Sequence, residues 1–496
     1  MKMFEKKRMH PISVILFILK NIKDAVLPII FMFILGGSGE DASTLDLLIR
    51  FGIPSVIIIF TIISGIINWF RFTYWIEDEE LRIEHGLFVR KKRYIPFERI
   101  QSISVTEGLL QQIFGLAKIT VETAGGALDE SEAQLIAIKK EEAENIQSYI
   151  KKSKKKQSIP TEASGEQMAT IAVDTSISDE EPVDIIYQAS MKNIFLLAIT
   201  SGGAIGVITA VIAFFSQFDE LIPYEKIYTE AQLFIASSIS LFIILSLFII
   251  VFAYLIAIVQ TMLKYYDYKV EKTEKNLIIS HGLLEKRKIT VPFHRIQGIE
   301  IIENPLRRLF GYVTFQVINE GGTDMEEPGK VIICPLIKKQ EITAIVKSCL
   351  PDYQVDVELG TLPDRAKIRY MLRPAYVISI PVIIGGYFLR PFGWLLLVLI
   401  PLSMLFGYQS YRGAGWNMSG HQLTLRSRWI QTRTFYTFKN RIQSLEISKN
   451  WFQRRKSLGT IYSHVMSGSG RVADLDESVA KAIYQWYSRT EKYEVE

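Results

Sequence analysis

The stretch Ala231–Leu263 runs for 33 residues without a charge. A helix rises 1.5 Å per residue and the bilayer's hydrocarbon core is ~30 Å thick, so ~20 such residues already cross it. The surplus must tilt or project beyond the bilayer. Phe51–Phe70, Asn193–Phe218 and Pro391–Tyr411 are also charge-free, and Pro374–Leu389 is a shorter run closed by Arg390. A soluble helix buries one stripe rather than its whole circumference, so these runs predict membrane helices. The first candidate, Pro11–Leu35, carries Lys20, Lys23 and Asp24 in its middle. It reads as an interfacial helix, Ile12–Leu19, leading into a short span, Ala25–Leu35, with the lysines snorkelling. Six spans in three pairs are expected. No small-residue cleavage site follows a compact apolar core, so a signal peptide is not.

The basic residues set an expected orientation. Lys2, Lys6, Lys7 and Arg8 precede the first segment. The short connections Gly36–Arg50 and Ser216–Gln232 are acidic, with Glu40, Asp41, Asp46, Asp219, Glu220, Glu225 and Glu230. The long stretches after the second and fourth spans are rich in Lys and Arg, including Lys151–Lys156. Both termini and all three large polar segments are therefore expected in the cytoplasm.

Those segments repeat. From His85 the chain reads HGLFVRKKRYIPFERIQSISV and then LLQQIFGLAKITVETAGG; from His281, 196 positions later, it reads HGLLEKRKITVPFHRIQGIEI and then PLRRLFGYVTFQVINEGG. A diverged third copy reads LTLRSRWIQTRTFYTFKNRIQSLEI from Leu423 and keeps Arg441, Ile442, Gln443 and Gly459. Leu81, Ile83, Leu87 and Val89 alternate with polar residues, as do Ile100, Ile103 and Val105, which predicts strands. A short helix, Leu109–Phe114, follows; Leu110, Ile113 and Phe114 share a face, and Gly115 marks its end. Each copy closes on an amphipathic helix. About seven strands and that helix describe a bent sandwich or partly open barrel. The implied layout is a helix pair over 1–73 with a β-domain over 74–152, a pair over 186–266 with a domain over 267–351, and a pair over 371–412 with a domain over 413–496. Polar linkers occupy 153–185 and 352–370.

The HG-L…PF-x-RIQ…LFG…GG pattern behind a helix pair resembles the bacterial pleckstrin-homology-like, YdbT-like multi-pass membrane proteins. The resemblance covers nearly the whole chain outside the linkers. It is weaker in the third copy, where Phe438-Lys439 replaces Pro96-Phe97 and the His-Gly pair is lost. It implies membrane α-helical hairpins, each followed by a seven-stranded pleckstrin-homology-like domain with a C-terminal helix. It also implies a cell-envelope location and a link to tolerance of membrane-active antimicrobials.

Catalytic constellations are not evident. The chain has no HExxH, GxSxG or CxxC motif, and Gly322…Gly329-Lys330 lacks the spacing and the hydroxyl residue of a phosphate loop. His85 and His281 are repeat equivalents at strand positions, and His10, His294, His421 and His464 have no carboxylate or cysteine at ligand spacing; Cys334 and Cys349 read as buried small apolars. No cofactor, metal or enzymatic activity is expected. The net charge of +5 on 496 residues, with no aromatics interleaved among the basic runs, argues against nucleic acid.

Basic clusters are the strongest functional signal. Arg90, Lys91, Lys92 and Arg93 share a hairpin position with Lys286, Arg287 and Lys288, while Arg307 and Arg308 share a short helix with Arg454, Arg455 and Lys456. Cations held near an inner leaflet attract anionic headgroups at ~1 kcal/mol each. Membrane lipids, a membrane-protein partner or a second copy are thus the expected partners. Arg99 and Gln101, Arg295 and Gln297, and Arg441 and Gln443 recur in every copy and read as fold requirements, such as an arginine pairing with an acid across strands. The expectation is a non-enzymatic membrane scaffold; a lipid- or peptide-moving transporter built from the six helices is the alternative. Apart from Lys20, Lys23, Asp24 and Arg390, the spans lack the charges that ion-coupled transport uses.

Overall fold

In the computed structural model, the described residues are 5–19, 21, 51–86, 89–123, 133–157, 184–203, 206, 209, 239–320, 329–388 and 392–488. Ala25–Leu35, half of Asn193–Phe218, Arg390, the turn at Gly125-Gly126 and the core of the first linker lie outside them. Among the described residues, four helices are long and apolar enough to span a membrane: Ile53–Arg71, Leu247–Lys264, Asp364–Tyr387 and Gly393–Gly413. Residues 12–19 are helical, as expected, and Gly65 meets this segment so closely that an added Cβ would lie 2.9 Å from Ile18 Cγ1.

The chain divides into two compact units: Met1–Glu180 with Ile194–Asp267 and Ser280–Ile289, and Glu181–Asn193 with Tyr268–Ile279 and Thr290–Glu496. In the first, strands β1 (Lys7–Arg8), β2 (Thr73–Glu77), β3 (Glu80–His85) and β4 (Lys91–Pro96) form one sheet in that order. Strands β5 (Ile100–Glu107), β6 (Leu116–Thr123) and β7 (Ala133–Lys139) form a second antiparallel set. Apolar residues of both sets, among them Leu81, Ile83, Ile119 and Leu135, enclose one core with Ile146 and Ile150 of the helix Lys140–Gln157.

The second unit repeats the plan. It holds β8 (Asp184–Gln188), β9 (Lys269–Lys272), most of β10 (Asn276–His281), the end of β11 (Lys286–Pro292), β12 (Ile296–Glu303), β13 (Tyr312–Asn319) and β14 (Lys330–Lys338). The third copy follows as β15 (Gly415–Ser419), β16 (Gln422–Arg428), β17 (Thr432–Phe438), β18 (Ser444–Ser448), β19 (Leu458–Val465) and β20 (Gly468–Asp476). Its core joins Leu423, Leu425, Ile461 and Leu475 to Ile483 of the helix Glu477–Ser488.

In the first two domains one strand comes from before the candidate span, and in the third a single bridge does, which the sequence reading did not anticipate. β1 pairs with β2 and β8 with β9, and Gly360 forms the matching bridge to Trp416. In the first two copies a candidate span, Ile53–Arg71 or Leu247–Lys264, thus follows a domain's first strand. These strands are two to five residues long and carry no alternating pattern of their own.

The helix assigned to Pro374–Leu389 begins earlier, at Asp364, and runs to Phe388 with Pro374 and Pro381 inside it. Its added turns carry Arg365, Arg369 and Arg373 onto acids of the third domain. The run Pro391–Tyr411 is a 3₁₀ segment, Phe392–Val398, followed by the helix Leu399–Gly413. Gly407 makes the close approach in this pair: an added Cβ would sit 2.3 Å from the Tyr370 carbonyl oxygen. Small residues serve this purpose between membrane helices.

Candidate functional site: the hairpin tips and short helices

The His-Gly pair makes each of the first two hairpins possible. Gly86 and Gly282 adopt φ of +127° and +103°, and an added Cβ would lie about 2 Å from the carbonyl oxygens of Val89 and Glu285. Only glycine tolerates this bend. The His281 ring shares a 2.9 Å hydrogen bond with the Lys264 carbonyl and stacks on Tyr265. His85 stacks on Phe72, and burial followed by Arg93 and Lys91 lowers its pKa. Both histidines therefore brace the hairpin against a helix end.

Every tip meets the last turns of a candidate span. Arg71 Nη1 donates to the Gly86 carbonyl, and the Leu283 amide donates to the Leu263 carbonyl at 2.9 Å. Arg428 Nη2 donates to Gln409 Oε1 at 2.8 Å, beside Trp429. These helices close on Arg71, Lys264 and Arg412. The tips therefore stand where a span gives way to polar chain, and there Leu283, Leu284, Trp429 and Ile430 are exposed.

The first two short helices lie beside the tips. Gln112 Nε2 of the helix Leu109–Ile113 donates to the carbonyls of Leu283 and Leu284, at 3.1 and 3.0 Å. Arg308 of Pro305–Leu309 is close enough to Arg428 to lower its pKa, after the larger effect of burial. Most of the apolar side chains on the short helices are turned outward. Leu109, Ile113 and Phe114 are exposed, as are Leu306, Leu309 (80%) and Phe310 (62%), and Trp451 and Phe452 of Trp451–Arg455. A polar residue points inward instead. Gln111 reaches the Ile136 carbonyl, Arg307 donates to Thr314 Oγ1 at 2.7 Å, and Gln453, 3% exposed, bonds Thr460 and Asp474. This inversion is the signal the sequence reading missed: an inward-turned polar residue, Gln111, Arg307 or Gln453, recurs at the same place in all three short helices.

The basic clusters are placed unequally. Arg90 and Lys92 converge with Lys6 on the buried carboxylate of Glu84, at 3.6 Å for Lys92 and 4.0 Å for Lys6, and Lys91 is exposed. Arg93 pairs in register with Ile83. Lys286, Arg287 and Lys288 lie along β11, where they oppose Glu107, Thr106 and Val105 of β5. They also line a cleft of about 390 Å³ with Glu107, Lys140 and His281. Arg454, Arg455 and Lys456 are exposed, and the Arg455 guanidinium sits 3.7 Å from the Trp451 ring centre.

The recurring Arg-Ile-Gln segments begin each second sheet. Their arginines end the 3₁₀ turns Phe97–Arg99, Phe293–Arg295 and Lys439–Arg441. Arg99 is exposed, and Gln101 lies in β5. Burial lowers the Arg295 pKa, opposed by Glu320, and Gln297 is buried. Arg441 donates to the His294 carbonyl at 2.9 Å, and the Gln443 amide to that of His464 at 2.9 Å. Arg441 thus serves a backbone carbonyl where an acid was expected.

Acids buried in β12 join the second and third copies. Glu303 collects Lys339 at 2.8 Å, Arg426 at 3.4 Å and Arg308 at 3.9 Å, and Glu300 collects Gln316, Lys330 and Arg433. Burial raises the Glu303 pKa, but Lys339, Arg426 and Arg308 together outweigh it, so the net value falls below 4.5. A depressed carboxylate stabilises the fold above its unfolded pKa and loses that contribution as pH falls through the folded one. Glu303→Gln is therefore expected to be less stable than the parent at neutral pH. The gap should narrow as pH falls below about 4.5, read as melting midpoints of both proteins across pH 3–7.

The bacterial PH domain family matches residues 16–154, 230–352 and 376–491, once for each copy. A Bacillus subtilis (strain 168) protein described as UPF0699 transmembrane protein YdbT is 37% identical over 500 residues, spanning 98% of this chain and 99% of that protein. No solved structure matches.

Proposed function

The chain belongs to the bacterial PH domain family, and from that premise we propose a non-enzymatic membrane scaffold whose domains rest on an anionic inner leaflet. The observation that carries this reading is the inverted short helix. Three times, apolar side chains are presented outward while a glutamine or arginine is turned into the domain. In water each outward apolar side chain forgoes ~1.5–3 kcal/mol of burial. Beside a span's end, the bilayer interface supplies that burial, and Arg308, Arg454, Arg455 and Lys456 meet the headgroups. The basic last turns of the spans and the acidic short connections support a cytoplasmic location for the termini and the domains.

Full-length protein in nanodiscs tests this. Phe114→Cys and Phe310→Cys, carrying a polarity-sensitive fluorophore, are expected to show blue-shifted emission and quenching by spin-labelled lipid. A probe at the exposed Lys481→Cys is expected to show neither. Water-like emission at both 114 and 310 would overturn the docking. Headgroup contact further requires quenching at 310 to strengthen when anionic lipid replaces neutral lipid. We extend the scaffold reading to tolerance of membrane-active antimicrobials; a deletion strain no more sensitive than its parent would remove that part.

A further inference from the structure

The copies are joined edge to edge, always through the same strands. In the first unit, β5 pairs with the start of β11: Glu107 opposes Lys286, Thr106 opposes Arg287, Val105 opposes Lys288 and Ser104 opposes Ile289. In the second, β12 pairs with β17: Glu303 opposes Thr432, Ile302 opposes Arg433, Ile301 opposes Thr434 and Glu300 opposes Phe435. Glu303 is the repeat equivalent of Glu107, and Thr432 that of Lys286, so both joints share one register. Each uses the first strand of one copy's second sheet and the last strand of the next copy's first sheet.

A joint of this head-to-tail kind does not consume its own surfaces. Among the described residues, β4 ends its sheet order and β18 begins its own. They are the repeat equivalents of the strands joined elsewhere. β12 is buried along nearly its whole length, whereas Ser444, Glu446 and Ser448 of β18 are exposed, as are Lys91, Lys92 and Tyr94 of β4. Lysines on an edge strand usually discourage pairing. Here they do not decide the matter, because β11 is as basic as β4 and is paired.

We propose that β18 of one chain adds antiparallel to β4 of a second copy of this chain, in the register of the two internal joints. Lys92 would then face Ile447, as Lys288 faces Val105 and Thr434 faces Ile301. Arg93 would face Glu446, an opposite-charge cross-strand pair. Heterologous contacts of this kind generate closed rings or open rows. Each copy holds its helices in the same bilayer, so either form grows in the membrane plane. The proposal is independent of the lipid-docking reading, which concerns the tips and short helices.

Two differently tagged full-length chains, one bearing Lys92→Cys and the other Ile447→Cys, test it when co-expressed and oxidised in membranes. Cys334 and Cys349 are buried and stay silent. Directly opposed residues have Cβ atoms ~4.5–5.5 Å apart, within disulfide reach. A two-tag dimer is expected. Ser444→Cys, displaced ~10 Å along the strand, should replace Ile447→Cys with at least a tenfold loss of cross-linking. Native mass measurement in mild detergent should give more than one chain. Equal cross-linking from 444 and 447, a disulfide confined to single chains carrying both substitutions, or a one-chain mass without the two-tag product overturns it. Unchanged melting of the single-cysteine chains separates a lost contact from a lost fold.

Discussion

Replacing Asp474 with alanine is expected to lower the melting midpoint of the reconstituted protein by roughly 6–12 °C, at ~2–4 °C per kcal/mol for a domain of this size. Asp474 is fully buried. Its Oδ1 accepts from Arg369 Nε at 3.0 Å and Gln453 Nε2 at 2.7 Å, and its Oδ2 accepts from Arg373. Arg369 and Arg373 stand one turn apart on the helix Asp364–Phe388, and Gln453 is the inward residue of a short helix. One carboxylate therefore ties a membrane helix, a β-strand and the third short helix together. Removing one partner of a buried ion pair costs about 3–5 kcal/mol, and the lower end applies here because the arginines retain some solvent. Asp474 also has φ +55°, which asparagine adopts more readily than most residues. Asp474→Asn is thus expected to lose less than Asp474→Ala. A cycle with Arg373→Ala checks the assignment: the double variant should fall well short of the summed single losses.

Phe435→Ala is the second large effect, at about 3–5 kcal/mol. Phe435 lies in β17 opposite Glu300, 2% exposed, and clusters with Ile318 and Val465. Ile318 belongs to the second copy and Val465 to the third, so the ring fills the seam between them. Gly470 shapes the same seam, since a Cβ there would lie 2.3 Å from Phe435 Cδ1. Gly470→Ala should destabilise the parent yet be much better tolerated beside Phe435→Ala. Hydrogen exchange in β12 should accelerate in Phe435→Ala while β2 and β3 of the first copy are unaffected. Faster exchange in both would place the ring's role elsewhere.

The basic hairpins illustrate how far pattern reading reached. Arg90–Arg93 and Lys286–Lys288 are repeat equivalents, and as sequences they imply one role. In the fold, the second cluster is occupied by β5, whereas β4 ends its sheet. Sheet edges join through backbone N–H and C=O groups, which every residue carries, so no side-chain pattern announces the partner. The short helices are a different case. Apolar residues on one face of a helix predict a buried face in water. Here most of those side chains are turned outward, and only the fold shows it, because their burial depends on neighbours distant in the chain.

The amino-acid sequence by itself determined the apolar spans, the threefold repeat, the strand-rich character of each copy and the family. These follow from local hydrophobicity, alternation and internal comparison, all of which survive without tertiary contacts. Tertiary structure alone decided that the first two domains take a strand from before their candidate spans and that copies join in one repeated register. It also decided that Gln111, Arg307 and Gln453 face inward. Each of these depends on which distant backbone or carboxylate lies opposite, and that is fixed by long-range packing rather than by the segment's own composition.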